Sequence, residues 1–242
     1  MFEFVIGVIS SVAASAIMLA CVTLFSDRAK WFLLGLTDRF TGLGLVKFFR
    51  NDEAAEGDLA ESIRTARFIK IFCSRGMFLE RAQYSEALRR AGEKYESIRI
   101  LLPCLSCAKE GPDWTGINEK ELGKLQPEFG SGIFRKQIEH AYDLLAHYRD
   151  KPKLQVRPYN LPHLGKVIIT DRVAYVTFYT SDTRASQSCV YKFAADGVLF
   201  RWAERVFDLA WENAPADRGT LAREERTNPD DQGSALAGLQ PG

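Results

Sequence analysis

The sequence has almost no net charge and no regular cysteine framework. Its 242 residues include 32 Lys and Arg against 31 Asp and Glu, which leaves a formal net charge of +1. This balance gives no overall basic field, and it argues against a nucleic-acid partner. The five cysteines are odd in number and irregularly spaced, so a disulfide scaffold is excluded and a reducing compartment is favoured. We find no internal repeat.

An uncharged apolar run covers residues 4–25, about the length that spans a bilayer. No Lys or Arg precedes it, and it is longer than the apolar part of a usual signal peptide, so we expect a retained anchor. The residues that follow it carry more basic than acidic side chains, which places the C-terminal bulk in the cytoplasm. Residues 1–27 are therefore predicted to be a transmembrane anchor of a single-pass protein in the inner or plasma membrane.

Residues 28–62 are predicted to be a juxtamembrane collar and linker. Large apolar side chains are frequent between residues 31 and 49, but Asp38 and Arg39 argue against a second span. An amphipathic collar lying on the membrane fits this pattern. Packing of the same segment as the first helix of the next domain, or against a partner's span, stays equally open. The acidic stretch 51–61 is expected to link the collar to a globular domain.

Short apolar runs alternate with helical patterns between residues 63 and 213. The predicted strands are 68–73, 98–102, 154–157, 166–170, 174–179 and 188–193. The predicted helices are 77–94, 133–149 and 197–213, and a long loop is expected over 104–132. This order predicts an α/β domain, a mixed sheet flanked by helices. Residues 214–242 are polar and poor in apolar side chains, so they are predicted to be a disordered tail.

A histidine and a lysine stand at the start of the fourth predicted strand. His163 and Lys166 are followed by Asp171 at the corner of a predicted hairpin. This arrangement resembles the His-x-Lys-x4-Asp signature of the phospholipase D superfamily, and the order of elements is similar to one half-domain of that family. The resemblance covers residues 68–213. It implies a phospholipase D-like half-domain, preceded here by one transmembrane helix.

In the family that the chain resembles, a histidine attacks a phosphodiester and lysines neutralise the phosphate oxygens. The resemblance therefore implies catalytic roles for His163, Lys166 and Asp171. The candidate ligand-binding residues are Asn160, Thr180 and Ser181. A second histidine comes from another half-domain, so the resemblance also implies a homodimer. It implies no cofactor and no metal, and the lone pair Cys104 and Cys107 is a weak candidate for zinc.

The sequence departs from the family pattern at two places. His163 and Lys166 are three positions apart instead of two, and residues three apart do not share a face of a strand. A β-bulge at Gly165 would restore the shared face. Bulky Phe178 and Tyr179 stand where the family has small residues beside the phosphate. Both departures weaken the case for catalysis.

Three functions follow from these observations. The first is a membrane-anchored binding, sensor or effector module, non-hydrolytic or weakly active, whose ligand is a phosphate-bearing molecule or a partner protein. The second is a dimeric, metal-independent phosphodiesterase that acts on lipid or nucleic acid with His163 as the nucleophile. The third is a scaffold that assembles a membrane protein complex. A simpler alternative makes His163 an ordinary loop residue and Lys166 a solvent-facing lysine.

Overall fold

The computed structural model describes residues 14–20, 41–105, 112–125, 132–179 and 185–215. The strands are β1 (Leu45–Phe49), β2 (Phe68–Phe72), β3 (Ser97–Pro103), β4 (Leu154–Tyr159), β5 (Gly165–Thr170), β6 (Val173–Phe178) and β7 (Val190–Ala194). The main helices are α1 (Asp52–Thr65), α2 (Ala82–Arg89), α3 (Trp114–Leu125), α4 (Ile133–Ala146) and α5 (Val198–Asn213). Two short 3-10 helices span Met77–Glu80 and Ala185–Gln187.

All seven strands belong to one mixed sheet with the order β1-β7-β6-β5-β2-β3-β4. Strands β2, β3 and β4 run parallel to one another. The remaining neighbours pair antiparallel, including β5 with β6 and β5 with β2. The predicted mixed α/β sheet with flanking helices is therefore confirmed.

Apolar residues at helical spacing place a layer of helices on each face of the sheet. On one face, α1 contributes Ala55, Leu59 and Ile63 to a core that also includes residues of α2 and α4. The other core is covered by α5, whose buried residues are Phe200, Ala203, Phe207, Ala210 and Trp211. Such stripes bury one side of each helix, and this burial is the main stabilising contribution.

Strand β5 lies near the middle of the sheet, and all six of its residues are buried. Ile168 packs in the core beneath α1, and Val167 and Ile169 pack in the core beneath α5. Burial on both faces explains the continuous apolar run in the sequence. Lys166 lies on the same face of β5 as Ile168, because side chains two positions apart share a face.

The ordered domain begins before residue 63. Strand β1 and most of helix α1 fall within residues 28–62, which the sequence assigned to a collar and linker. β1 is an edge strand paired with β7, and α1 packs into the core. The loop expected over residues 104–132 contains α3, and the single helix expected over 77–94 is divided into a 3-10 helix and α2. Extended backbone at Arg81 separates these two parts.

Among the residues that the structure describes, none of the helices has the length and apolar character needed to cross a membrane. The predicted transmembrane helix and single-pass location are therefore wrong, and the predicted bilayer partner is without support. The described part of the predicted anchor, residues 14–20, is helical. The rest of segment 1–27, and the predicted tail beyond Pro215, lie outside the described residues.

Candidate functional site

The loop after β2 lies beside the start of β5, because the two strands are antiparallel neighbours. Phe72, the last residue of β2, pairs with Val167 near the first residues of β5. This register brings Ser74 and Arg75 close to Lys166. Gly76 has a φ of 72°, and a Cβ there would lie 2.6 Å from the Cβ of Ala141. A larger residue would therefore force the loop away from α4.

A cleft of about 200 Å³ opens where β2 ends and β5 begins. Its lining combines one carboxylate, three cationic side chains, hydroxyl groups and aromatic rings. The lining residues are Asp52, Ser74, Arg75, Gly76, Met77, Phe78, Arg81, Lys166, Tyr179 and Ser186. The excess of positive over negative side chains makes the cleft suited to an anion.

Lys166 is the central cation of the cleft and is only 6 % exposed. Its Nζ atom donates to both carboxylate oxygens of Asp52 at 2.6 Å. The same Nζ atom lies 5.1 Å from the centre of the Phe78 ring. A buried ammonium needs such partners, because an unpaired charge in the interior is costly. Asp52 thus balances Lys166 within the protein.

The other charged and polar groups of the cleft also have partners. Arg75 donates from Nη1 to Oε1 of Gln137 at 3.1 Å, and burial lowers the pKa of its guanidinium. Arg81 lies 3.7 Å from a carboxylate oxygen of Glu56 in a half-exposed ion pair. Burial raises the pKa of Tyr179 to about 12, although a hydrogen bond with Ser74 opposes this shift. Tyr179 is therefore a neutral phenol at physiological pH.

His163 lies in the turn before β5, where Leu164 N donates to the carbonyl oxygen of Pro162 at 3.1 Å. Nδ1 of His163 lies 2.8 Å from the hydroxyl of Tyr159, which itself donates to the carbonyl oxygen of Cys73 at 3.0 Å. A carbonyl can only accept, so the single hydroxyl proton is used there and Nδ1 of His163 is the donor. This assignment leaves a lone pair on Nε2.

The surroundings of His163 keep its ring neutral. Burial, and secondarily the positive charge of Arg75, lowers the pKa of His163 to about 4. The ring packs edge-on against Phe134 and Tyr159, with centroid distances of 5.5 and 5.6 Å. Its Nε2 atom is buried and has no hydrogen-bond partner among the described residues. The imidazole can therefore accept a hydrogen bond, but its accepting atom is covered in this conformation.

Thr177 carries a second buried group without a partner in the described part of the chain, its Oγ1 atom. Thr177 is 1 % exposed and pairs directly with Lys166 across β5 and β6. Side chains at such cross-strand positions are neighbours on one face of the sheet. An unused hydroxyl therefore lies next to the buried ammonium.

The structure separates the predicted catalytic residues. Asp171 lies at the far end of β5, about 17 Å along the strand from Lys166, where its Oδ1 atom accepts from the backbone N–H of Arg67 at 2.9 Å. Asn160 accepts from Trp114 N at 3.3 Å and donates to the Pro112 carbonyl at 3.0 Å, so it anchors the start of α3. The remaining two predicted ligand-binding residues, Thr180 and Ser181, lie outside the described residues.

The β-bulge at Gly165 that would have restored the family spacing is not present in the described strands. Pairing between β5 and β6 runs in continuous register from Gly165 opposite Phe178 to Ile169 opposite Ala174. Gly165 instead allows close approach of the strands, because a Cβ there would lie 2.3 Å from the carbonyl oxygen of Thr177. Phe178 is 46 % exposed, and it contacts Trp202 of α5 on the opposite face from the cleft.

The oxidation state of the cysteines differs in part from the prediction. Cys104 is disulfide-bonded, contrary to the expectation that all cysteines are reduced. Cys73 and Cys189 are free thiols, and burial raises the pKa of the Cys73 thiol to about 12. This thiol is therefore a poor nucleophile.

The sequence did not identify Asp52, Phe78 or Arg81 as site residues. Asp52 was part of a presumed acidic linker, and its distance of 114 positions from Lys166 conceals the contact. Arg75 gave one usable signal, since it lies two positions after a predicted strand and precedes a glycine. Polar residues at strand ends often meet at one edge of a sheet.

No protein-family model matches this chain, and no curated protein matches it. Solved structures that are similar to it at low identity include TrmBL2 and NucT. TrmBL2 is an archaeal chromatin protein described as showing a novel mode of DNA binding, with a TM-score of 0.41 and 14 % identity over 88 % of this chain and 65 % of that one. The chain thus spans less than two thirds of TrmBL2. NucT, from Helicobacter pylori, has a TM-score of 0.44 and 13 % identity over 70 % of this chain and 97 % of that one.

Proposed function

We propose that the cleft around Lys166 binds a phosphate-bearing anion and that the domain is a non-hydrolytic binding module. The observation that supports this most is the gathering of Lys166, Arg75 and Arg81 around one cleft with a single carboxylate among them. Guanidinium and ammonium groups are the usual partners of phosphate oxygens. The similarity of the His163 and Lys166 region to the phospholipase D signature points to the same ligand chemistry.

The ligand would be held by charge and by hydroxyl groups. Lys166 would contribute a desolvated ammonium, and Ser74 and Ser186 of the lining would offer hydroxyl groups. The hydroxyl of Thr177, the cross-strand neighbour of Lys166, lies behind them. Electrostatic attraction is stronger in a cleft that is partly shielded from solvent than in bulk water. A sensor or effector role would then follow from a change in occupancy.

The binding proposal is tested by titrating inorganic phosphate into the full chain by calorimetry. Lys166→Met should lower phosphate affinity by about tenfold or more, because a hydrogen bond to a charged group contributes about 1.5–3 kcal/mol. Lys192→Met is the matched control, since Lys192 also pairs with an aspartate, Asp58, but lies outside the cleft. Equal loss in the two variants, or no phosphate binding by the parent chain, would refute the proposal.

One observation favours a phosphodiesterase as the second candidate. His163 is neutral, its Nδ1 atom is held by Tyr159, and its Nε2 lone pair is unused. An imidazole in this state is a competent nucleophile. By the family resemblance, a second copy of the chain would supply the histidine that protonates the leaving oxygen. Burial of Nε2 opposes this candidate, because a diester would have to displace the covering groups first.

The two candidates give opposite results with a chromogenic phosphodiester such as bis(4-nitrophenyl) phosphate. The binding module predicts no release of nitrophenol above the rate without protein. The phosphodiesterase predicts turnover that His163→Gln abolishes and that His147→Gln, a control on an exposed histidine, leaves unchanged. Turnover that survives His163→Gln would exclude this histidine as the nucleophile.

A further inference from the structure

Asp52 occupies the position next to Lys166 where an anionic ligand would bind. Both of its carboxylate oxygens lie 2.6 Å from Nζ of Lys166. The two side chains are 17 % and 8 % exposed, respectively, so the pair is largely removed from water. A carboxylate in this arrangement presents two oxygens to the ammonium, as a phosphate group would.

The start of α1 does not depend on the position of the Asp52 side chain. The N-cap is Asn51, whose side-chain oxygen accepts from the backbone N–H of Ala54 at 2.8 Å. Asp52 is the first residue of the helix, and its carboxylate reaches across to β5 instead of capping. Rotation of one side chain therefore suffices to release Lys166 without unwinding the helix.

We infer that Asp52 is an internal competitor that limits the affinity of the Lys166 site for anions. This inference rests on the proposed function of the cleft. When Asp52 holds Lys166, the site is closed to a ligand; when the side chain rotates away, the ammonium is free to bind one. The apparent affinity is then the intrinsic affinity multiplied by the fraction of molecules in which Asp52 is displaced.

The competitor differs from an ordinary structural ion pair in a measurable way. A pair that serves only stability would lose stability when Asp52 is neutralised and would gain no affinity. A competitor gains affinity for an external anion when its charge is removed, because the ligand no longer displaces a carboxylate. The gain must also require Lys166, since the two groups act on the same position.

The test compares phosphate affinity in the full chain and in Asp52→Asn at constant ionic strength. Asparagine keeps the shape of the side chain and removes its charge, and Asn51 remains as the cap. We expect the Asp52→Asn variant to bind inorganic phosphate about tenfold more tightly or better. Glu53→Gln is the matched control, because it removes one negative charge from the next residue of α1, which is exposed and outside the cleft.

A second variant keeps the test valid if Asp52→Asn does not fold, as judged by its thermal unfolding. Asp52→Ser also removes the charge and suits the first turn of a helix. Unchanged or weaker phosphate binding in both folded variants would overturn the inference. An equal gain in Glu53→Gln would also overturn it, because the effect would then be one of general charge.

The combined variant Asp52→Asn/Lys166→Met separates this inference from the proposed function. If the gain in phosphate affinity is lost in the combined variant, the inference and the proposed function are both supported. If the parent chain binds phosphate through Lys166 but Asp52→Asn does not bind it more tightly, the proposed function stands and the inference fails. If no variant binds phosphate, both fail.

Discussion

The hydroxyl of Tyr159 lies 2.8 Å from Nδ1 of His163 and joins this ring to the backbone directly after β2. The same hydroxyl donates to the carbonyl oxygen of Cys73 at 3.0 Å, and the Tyr159 side chain is almost completely buried. One oxygen atom thus fixes both the position and the protonated nitrogen of His163. The histidine is held in place by β4 and not by the strand that follows it.

Removal of the Tyr159 hydroxyl is therefore expected to release the ring. Tyr159→Phe should lower the free energy of unfolding by about 1–3 kcal/mol, because Nδ1 of His163 and the Cys73 carbonyl lose a buried partner. It should also yield a mixture of tautomers at His163, measured from the ¹⁵N shifts of the imidazole. Tyr95→Phe is the control, since its hydroxyl donates to the carbonyl of Ile63 away from His163. A single unchanged tautomer in Tyr159→Phe would contradict this role.

The low pKa of His163 predicts acid sensitivity. The pKa is about 4 in the folded chain against an ordinary value of 6.5, so the unfolded chain binds the proton first as the pH falls. The stabilising contribution is fully present above pH 6.5 and is lost between pH 6.5 and 4. Complete loss corresponds to about 3 kcal/mol. Urea unfolding across this range should show the decrease in the parent chain and a smaller one in His163→Gln. An NMR titration midpoint near 6.5 for His163 would contradict the lowered pKa and the acid sensitivity that follows from it.

Thr177 is expected to be more useful for ligand binding than for stability. Thr177→Val replaces the unpartnered Oγ1 by a methyl group of the same shape and should raise the free energy of unfolding by about 1 kcal/mol. The same variant should weaken phosphate binding if the hydroxyl contacts the ligand beside Lys166. Chemical denaturation and calorimetry measure the two effects separately. A loss of stability would mean that Oγ1 has a partner in solution.

Gly165 is required by the close approach of β5 and β6. Gly165→Ala should lower the free energy of unfolding by more than about 2 kcal/mol, because the new Cβ meets a backbone carbonyl that a side-chain rotation cannot move. Gly57→Ala on α1 is the control, since nothing lies within 4 Å of its added Cβ. This control should be neutral or slightly stabilising, as expected for an exposed helix position. Equal stability of the two variants would contradict the packing of the strands.

The central strands were predictable because they are buried on both faces. The runs that became β2, β3, β5 and β6 are mostly apolar, with a single Lys or Arg inside β2 and β3. Asp171 and Arg172 mark the hairpin between β5 and β6. Helix α5 was predictable from its regular apolar stripe. Local sequence therefore carries enough information wherever burial is continuous.

Edge elements and distant contacts were not predictable in the same way. β1 is a short edge strand with an irregular register, so its residues lack a clear alternation. The many acidic residues of α1 resemble a linker, although Ala55, Leu59 and Ile63 are buried. The pairing of Asp52 with Lys166 depends on how α1 crosses the sheet, which no local pattern records. The cleft is therefore a product of the tertiary fold.

The most direct test of the anion cleft is an NMR titration of the ¹⁵N-labelled chain with inorganic phosphate. The account predicts saturable changes in the backbone amides of Ser74, Arg75, Met77 and Lys166, and their loss in Lys166→Met. Changes that are spread over exposed lysines on other surfaces, or that persist in Lys166→Met, would show that this cleft is not the anion site.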